Sequence, residues 1–294
     1  MSAYNHEKFI EQALESVLMQ ECNFEYEVIL SNDKSSDETH QIITDFINKH
    51  AYGYRIKYFN QEINLGMNNN LIFTLEQAQG NYIALLEGDD YWIDKEKLQK
   101  QFDFLENNLD YSICTAAYKT NVPDYQAQIR KLDDDISSKT YTFTDFTGFR
   151  PHYLNMFFRK NTLDIDRLKT FTYSGDNVIF IMCLSKGKGF FLNQELAFRR
   201  DHADGAWSSK NLLERLEMSS EQFIGLYRFT EYRKAVRPIL YYYYADLIAS
   251  PKKQNTYLYK ALSLIRTRQE LVYFVKKIFN VKITQRTNLE NHGI

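Results

Sequence analysis

The stretch Tyr82-Ile83-Ala84-Leu85-Leu86-Glu87-Gly88-Asp89-Asp90-Tyr91-Trp92 runs five apolar or aromatic residues into three carboxylates grouped around one glycine. An unbroken apolar run fits a strand buried on both faces. Carboxylates at its end cannot belong to a core, because unpaired buried charge is too costly, so they require a cation, hydrogen-bond donors or water. The carboxyl ends of parallel strands are also where open α/β sheets bind ligands. The combination predicts a divalent metal holding a phosphorylated substrate. Asp33 follows another apolar run, Val28-Ile29-Leu30, and predicts a second acid on the same crevice. Taken alone, either acid also reads as part of a solvated loop.

The elements that must position these acids alternate. Phe9, Ile10, Ala13, Leu14, Val17 and Leu18 recur at helical spacing, with Asn5 as the expected cap. A strand at 26–30 leads through a polar loop, with Ser36 or Asp37 as cap, to a helix bearing Ile42, Ile43, Phe46 and Ile47. A strand at 55–59, a turn at Asn64-Leu65-Gly66 and a helix over 68–79 come before the acid-tipped strand. Beyond it follow a helix after Asp94 and strands at 111–117, 155–159 and 187–199. This alternation predicts right-handed βαβ crossovers and a mostly parallel sheet. Ser174-Gly175-Asp176-Asn177 opens an apolar helix, with Ser174 as expected cap and Asp176 as a first-turn acid. Asp133-Asp134-Asp135 reads as a solvated surface loop and His152 as a structural polar group.

The hydrophobic share of 44% and charged share of 25% are those of an ordinary globular protein. No apolar run approaches the ~18 residues of a membrane span. Cys22, Cys114 and Cys183 are widely spaced and odd in number, which suggests neither a disulfide framework nor a zinc site and predicts a cytoplasmic setting. Residues 251–294 carry nine Lys/Arg against Glu270 and Glu290, and the remainder is net acidic. That split argues against a nucleic-acid-binding body and marks the tail for an anionic surface. Residues 209–294 hold no catalytic pattern and read as helices over 212–218, 221–248 and 256–279, with Pro238 expected to kink or divide the middle one. The last carries an apolar stripe of Leu264, Leu271, Val275 and Ile278, with Arg266, Arg268, Lys276 and Lys277 largely off it. Such a helix packs on the catalytic domain or a sister subunit, or else lies peripherally on the inner membrane face.

Four segments occur in order: Tyr4-Asn5-His6-Glu7-Lys8-Phe9-Ile10, Asn32-Asp33-Lys34-Ser35-Ser36-Asp37, Asn64-Leu65-Gly66-Met67 and Glu87-Gly88-Asp89-Asp90-Tyr91-Trp92. Together they resemble the nucleotide-binding half of the family-2 glycosyltransferases, which have the Rossmann-like GT-A fold. The resemblance implies a catalytic domain over 1–208, with a nucleotide-binding half at 1–110 and an acceptor half at 111–208, followed by a helical extension over 209–294. It assigns Tyr4, Asn5, Asp33, Asn64, Asn70, Glu87 and Asp90 to the nucleotide, with Asp33 reaching the base. Asp89 becomes the ligand of Mg²⁺ or Mn²⁺, and Glu87 stands in for the first aspartate of the commonest DxD-type motif. Asp176 matches the general base. Arg200 and His202, ahead of Gly205-Ala206-Trp207-Ser208, match an Arg-x-His element that holds phosphate and completes the metal site. The implied reaction is inverting transfer from a nucleotide-sugar, a UDP-sugar, to a hydroxyl of a glycan or lipid-linked acceptor in bacterial surface polysaccharide synthesis.

Two other classes stay open: a nucleotidyltransferase, which should show a Gly-rich phosphate loop near its first strand, and a non-catalytic sugar-nucleotide-binding protein. One departure from the family is plain. A hydrophobic first strand normally comes before the Tyr-Asn, whereas only Met1-Ser2-Ala3 does so here. The sequence is therefore expected to lack about one strand's length, ~5–6 residues, and to leave a gap within its sheet.

Overall fold

A computed structural model describes residues 1–122, 138–144, 152–205, 209–248 and 254–278, so Asp133-Asp134-Asp135 and Ala206-Trp207-Ser208 lie outside the described residues. The chain divides into two compact units, Met1–His202 and Ala203–Ile294.

The first unit opens with a parallel sheet in the order β1 (Ser2–Ala3), β2 (Val28–Asn32), β3 (Ile56–Asn60). Its crossovers are α1 (Ile10–Leu18) and α2 (Thr39–Lys49), with α3 (Met67–Gln77) following β3. β2 is buried along its whole length, as its apolar run requires. The second sheet is built from β4 (Tyr82–Ala84), β5 (Tyr91–Trp92), β6 (Tyr111–Thr120), β7 (Ser138–Tyr141), β8 (Phe157–Arg159) and β9 (Lys188–Arg199), in the order β4-β8-β6-β9-β5, with β7 also on β9. Only β6 and β9 pair parallel in it. The α/β layering matches the sequence reading, but the all-parallel character stops at β3. Beyond that point helices still intervene, Lys97–Asn107 between β5 and β6 and Asp176–Leu184 between β8 and β9, but the other neighbouring strands pair antiparallel.

β1 covers two residues, pairing with β2 on one side and bridging from Ser2 to Glu87 on the other. The Gly88 amide donates to the Ser2 carbonyl at 2.9 Å, and the Asp33 amide to the Ala3 carbonyl, also at 2.9 Å. β1 thus ties together the two acid-bearing loops. Beyond it, β2 and β4 border a cavity of about 1240 Å³ lined by Val28, Ile29, Ile83, Leu85 and Phe157 among others.

Three expected helix caps fall elsewhere, and α2 has Glu38 at its N-cap in place of Ser36 or Asp37. Asn5 adopts φ 56°, a left-handed conformation that Asn tolerates better than most residues, and α1 begins only at Ile10. The helix from Asp176 to Leu184, α5, has Gly175 at its N-cap, because Ser174 bonds to Asn68 instead.

A buried polar network ties the next helix to the second sheet. Along α4 (Lys97–Asn107), Gln101 donates to the carbonyls of Cys114 and Asn155. Asn155 donates to Ala116 and Ala117, and the Trp92 indole donates to Leu154. The fully buried Lys97 bonds Gln101 Oε1 at 2.6 Å and sits 4.3 Å from the Trp92 ring centroid.

In the second unit, α6 (Leu212–Tyr227) starts at an Asn211/Glu214 capping box, and α7 (Thr230–Leu247) runs through Pro238. The division expected at Pro238 lies instead at residues 228–229. The expected last helix is also split, into α8 (Gln254–Leu264) and α9 (268–278). The Glu270 carboxylate accepts the Thr267 amide while Thr267 Oγ1 accepts the Glu270 amide, a second capping box that restarts the helix. Consequently the predicted stripe does not face inward throughout. Leu264 is buried with Glu270 and Phe274, whereas Leu271 and Val275 are exposed.

Burial lowers the Lys97 ammonium to about 7. The unfolded chain therefore binds this proton, and the folded chain does not, between about pH 7 and the ordinary lysine value of ~10.4. Stability of the wild type relative to Lys97→Met is expected to be flat below pH 7 and to rise above it by up to about 1.4 kcal/mol per pH unit. Urea titrations of both proteins from pH 6 to 10 measure this, and a flat difference refutes the burial account.

Candidate active site

The three acids of the opening stretch converge, with carboxylate oxygens of Glu87, Asp89 and Asp90 all within 4.8 Å of one another. Burial, followed by the charges of Asp89, Asp90 and Asp176, holds Glu87 well above the usual carboxylate range. Burial and then Asp89 push Asp90 up to about 7. For Asp89, burial is outweighed by the hydrogen bond with His202 and by His6, and its carboxyl lies below the usual value. One member of the cluster thus stays ionised while its neighbours favour protons, as expected of like charges crowded together out of water.

Arg200 clamps the cluster. Its amide donates to Asp90 Oδ1 at 2.8 Å, its guanidinium donates to the Asp89 carbonyl and to Gln12 Oε1, and it lies 4.4 Å from the Tyr91 ring centroid. His202 Nε2 lies 3.2 Å from Asp89 Oδ2. His6 Nε2 lies 3.7 Å from the same oxygen. Asp89 Oδ1 is buried with no hydrogen-bond partner among the described residues. A buried carboxylate oxygen lacking a donor, within a set of oxygen ligands and beside an imidazole, fits a hard divalent cation. Asp89 is the residue best placed to hold it, with Glu87, Asp90 and His202 around it.

The other predicted residues separate into two groups. Asp33 is buried; its Oδ1 accepts the Leu65 amide at 2.6 Å, while Asn64 Nδ2 donates to the Asp33 carbonyl. Asn5 Oδ1 accepts the Ser36 amide at 2.9 Å, and Tyr4 beside it is exposed. These four residues line the loops after β1, β2 and β3. Asn70 differs from the expectation: it is 1% exposed, and both ends of its amide bond Ser31. It braces β2 against α3 and does not face the crevice.

Asp176, at the first position of α5, adds to the burial and the Asp89 and Asp90 charges that raise Glu87, and burial, followed by the charges of Glu87 and Asp176, raises the Tyr153 phenol. The sequence reading missed what anchors Asp176. Asn68, at the start of α3, accepts the Ser174 amide at 2.7 Å and donates to the Phe171 carbonyl, fastening the loop before Asp176 to α3. The only sequence signal was a run of three asparagines, Asn68-Asn69-Asn70, at a helix start. His152 is structural, as expected: its Nδ1 accepts the Leu154 amide, and burial pushes it down to about 3.

The chain is similar to known proteins in sequence and in fold. The chain is 27% identical over 211 residues to an uncharacterized Mycobacterium tuberculosis protein, of which it spans 59%, matching 70% of its own length. It is 25% identical over 297 residues to the GalNAc(5)-diNAcBac-PP-undecaprenol beta-1,3-glucosyltransferase of Campylobacter jejuni, covering 94% of this chain and 91% of that one. In fold it superposes on S. aureus TarS in complex with UDP-GlcNAc, with a TM-score of 0.62 and 17% identity over 95% of this chain and 78% of that one. The family model described as glycosyl transferase family 2 matches residues 1–182, and the chain belongs to that family.

Proposed function

We propose that this protein is an inverting, metal-dependent glycosyltransferase that moves a sugar from a UDP-sugar to a hydroxyl of a lipid-linked glycan. The observation that carries the reading is the gathering of Glu87, Asp89 and Asp90 oxygens within 4.8 Å of one another, and the charge of Asp176, which helps to raise the Glu87 carboxyl, supports it. The named activity of the Campylobacter relative, matched along nearly the whole of both chains, supports the acceptor class.

A bound Mg²⁺ or Mn²⁺ supplies charge neutralisation to the departing diphosphate. Asp89 would hold it, while Arg200 keeps Asp89 and Asp90 in place. The loops carrying Asn5, Asp33 and Asn64 receive the nucleoside. Asp176 accepts the proton of the acceptor hydroxyl as that oxygen attacks the anomeric carbon from the face opposite the leaving group. Asn68 keeps Asp176 in register with the donor.

The acceptor's lipid places the reaction beside a bilayer, and α9 suits that surface. Leu271, Val272 and Val275 are 48%, 47% and 41% exposed on one helix face, flanked by the exposed Arg268 and Lys276. An apolar face with basic flanks binds anionic lipid headgroups. Among the described residues no helix is long and apolar enough to cross a membrane.

Release of UDP from a panel of sugar nucleotides, with and without Mn²⁺, tests the reaction. Asp89→Ala is expected to abolish the metal-dependent turnover. Asp176→Asn is expected to lower kcat by about 10²–10⁴-fold with UDP affinity kept, and unchanged turnover refutes the proposed base. Asn68→Ala should reduce kcat by up to about 10²-fold while leaving UDP binding intact, and a selective loss of UDP binding refutes its assigned role. In liposome flotation, wild type should rise with anionic vesicles and a Leu271→Ser/Val275→Ser variant should not. Equal flotation of the two removes α9 from the membrane contact.

A further inference from the structure

His6 lies outside every role derived so far, yet it lies against the acid most central to the site. It is rigidly held. Its amide donates to Thr39 Oγ1 at 2.8 Å, and its carbonyl accepts the Phe9 and Ile10 amides, both at 2.9 Å, where α1 begins. Its ring is mostly buried and points Nε2 at Asp89 Oδ2, 3.7 Å away.

Gly88 explains how the ring reaches that position. Among the described residues only Gly66 is a glycine of positive φ, so backbone conformation does not require a glycine at 88. Space does. A Cβ there would come within 2.8 Å of His6 Nδ1, within 2.8 Å of Ile10 Cδ1 and within 3.3 Å of Ala3 Cβ. The glycine inside the acidic motif and the histidine at the head of α1 are therefore complementary parts.

The ring's surroundings also choose its tautomer. His6 Nδ1 is buried without a partner among the described residues. Nε2 faces the Asp89 carboxylate, which can only accept a hydrogen bond, so a neutral ring in this orientation carries its proton on Nε2. Asp89 Oδ2 then has imidazoles of His202 and His6 on it, at 3.2 and 3.7 Å, while Oδ1 has no partner. With both rings flanking Oδ2, Oδ1 is the oxygen left for an incoming ligand. Outer partners of this kind orient a metal-binding carboxylate and tune its affinity.

We propose that His6 is a positioning residue of the cation site, seated by Gly88 so that it orients the Asp89 carboxylate toward a divalent ion. The proposal rests on the nucleotide-sugar reading above.

Binding of Mn²⁺ and of UDP, followed separately by electron paramagnetic resonance and calorimetry on the full chain, tests it. His6→Ala should weaken Mn²⁺ by about 10–100-fold and leave metal-free UDP affinity unchanged. His6→Gln, whose amide nitrogen reaches the Nε2 position, should recover most of the loss. Gly88→Ala should weaken Mn²⁺ in the wild type and add a smaller loss in the His6→Ala background, where the Ile10 and Ala3 contacts remain but the ring is gone. Unchanged Mn²⁺ affinity in His6→Ala, equal damage from His6→Gln, or a full additional loss from Gly88→Ala in the double variant overturns the role. A wild type that binds neither Mn²⁺ nor UDP overturns the parent reading along with it. Normal wild-type binding with an indifferent His6→Ala overturns this proposal alone.

Discussion

The dominant constraint on this molecule is the crowding of Glu87, Asp89 and Asp90 at the end of one short strand, with Asp176 close by. Carboxylates this near, out of water, cannot all be ionised without compensation. The chain responds in two ways. Arg200 bonds the Asp90 side chain and the Asp89 carbonyl, and imidazoles converge on Asp89. Two of the acids are pushed toward their protonated forms while Asp89 is kept ionised. The outcome is a cluster of oxygen ligands whose chemistry fits a divalent cation.

Much of the surrounding structure serves to hold that arrangement still. The Gln101 and Asn155 amides fasten α4 to β6 and to the turn carrying Tyr153, and Trp92 adds its indole to the same turn. Buried polar groups are tolerable there because they are paired, and a paired network permits one register where an apolar core would allow several. Asn68 performs the same service between α3 and the loop before Asp176. These elements are thus joined by side-chain amides, not by the sheet alone.

The sheet itself is interrupted. β1 contributes two residues, enough to link the Asp33 and Gly88 loops, and the cavity between β2 and β4 lies just beyond it. The acidic loop is accordingly held from the front by β1 and Arg200, and from behind by Ile10 and His6 packing against Gly88.

Local chemistry alone determined a good deal about this protein. Apolar runs ending in acids marked β2 and β4, helical periodicity marked α1 to α4, and four ordered motifs carried the family and its GT-A fold. Those features are legible because each depends on residues close together along the chain. Even the break before α9 was written locally, in the Thr267-x-x-Glu270 pattern. Tertiary structure decided the division of labour. It buried Asn70 behind the crevice wall, turned Ser174 from a cap into a partner of Asn68, and brought His6 beneath Asp89. These assignments rest on contacts between residues as far apart as the 106 positions separating Asn68 from Ser174. No periodicity or propensity encodes such pairs, because a side-chain amide or imidazole is equally at home in a solvated loop until packing removes the water and leaves one partner within reach.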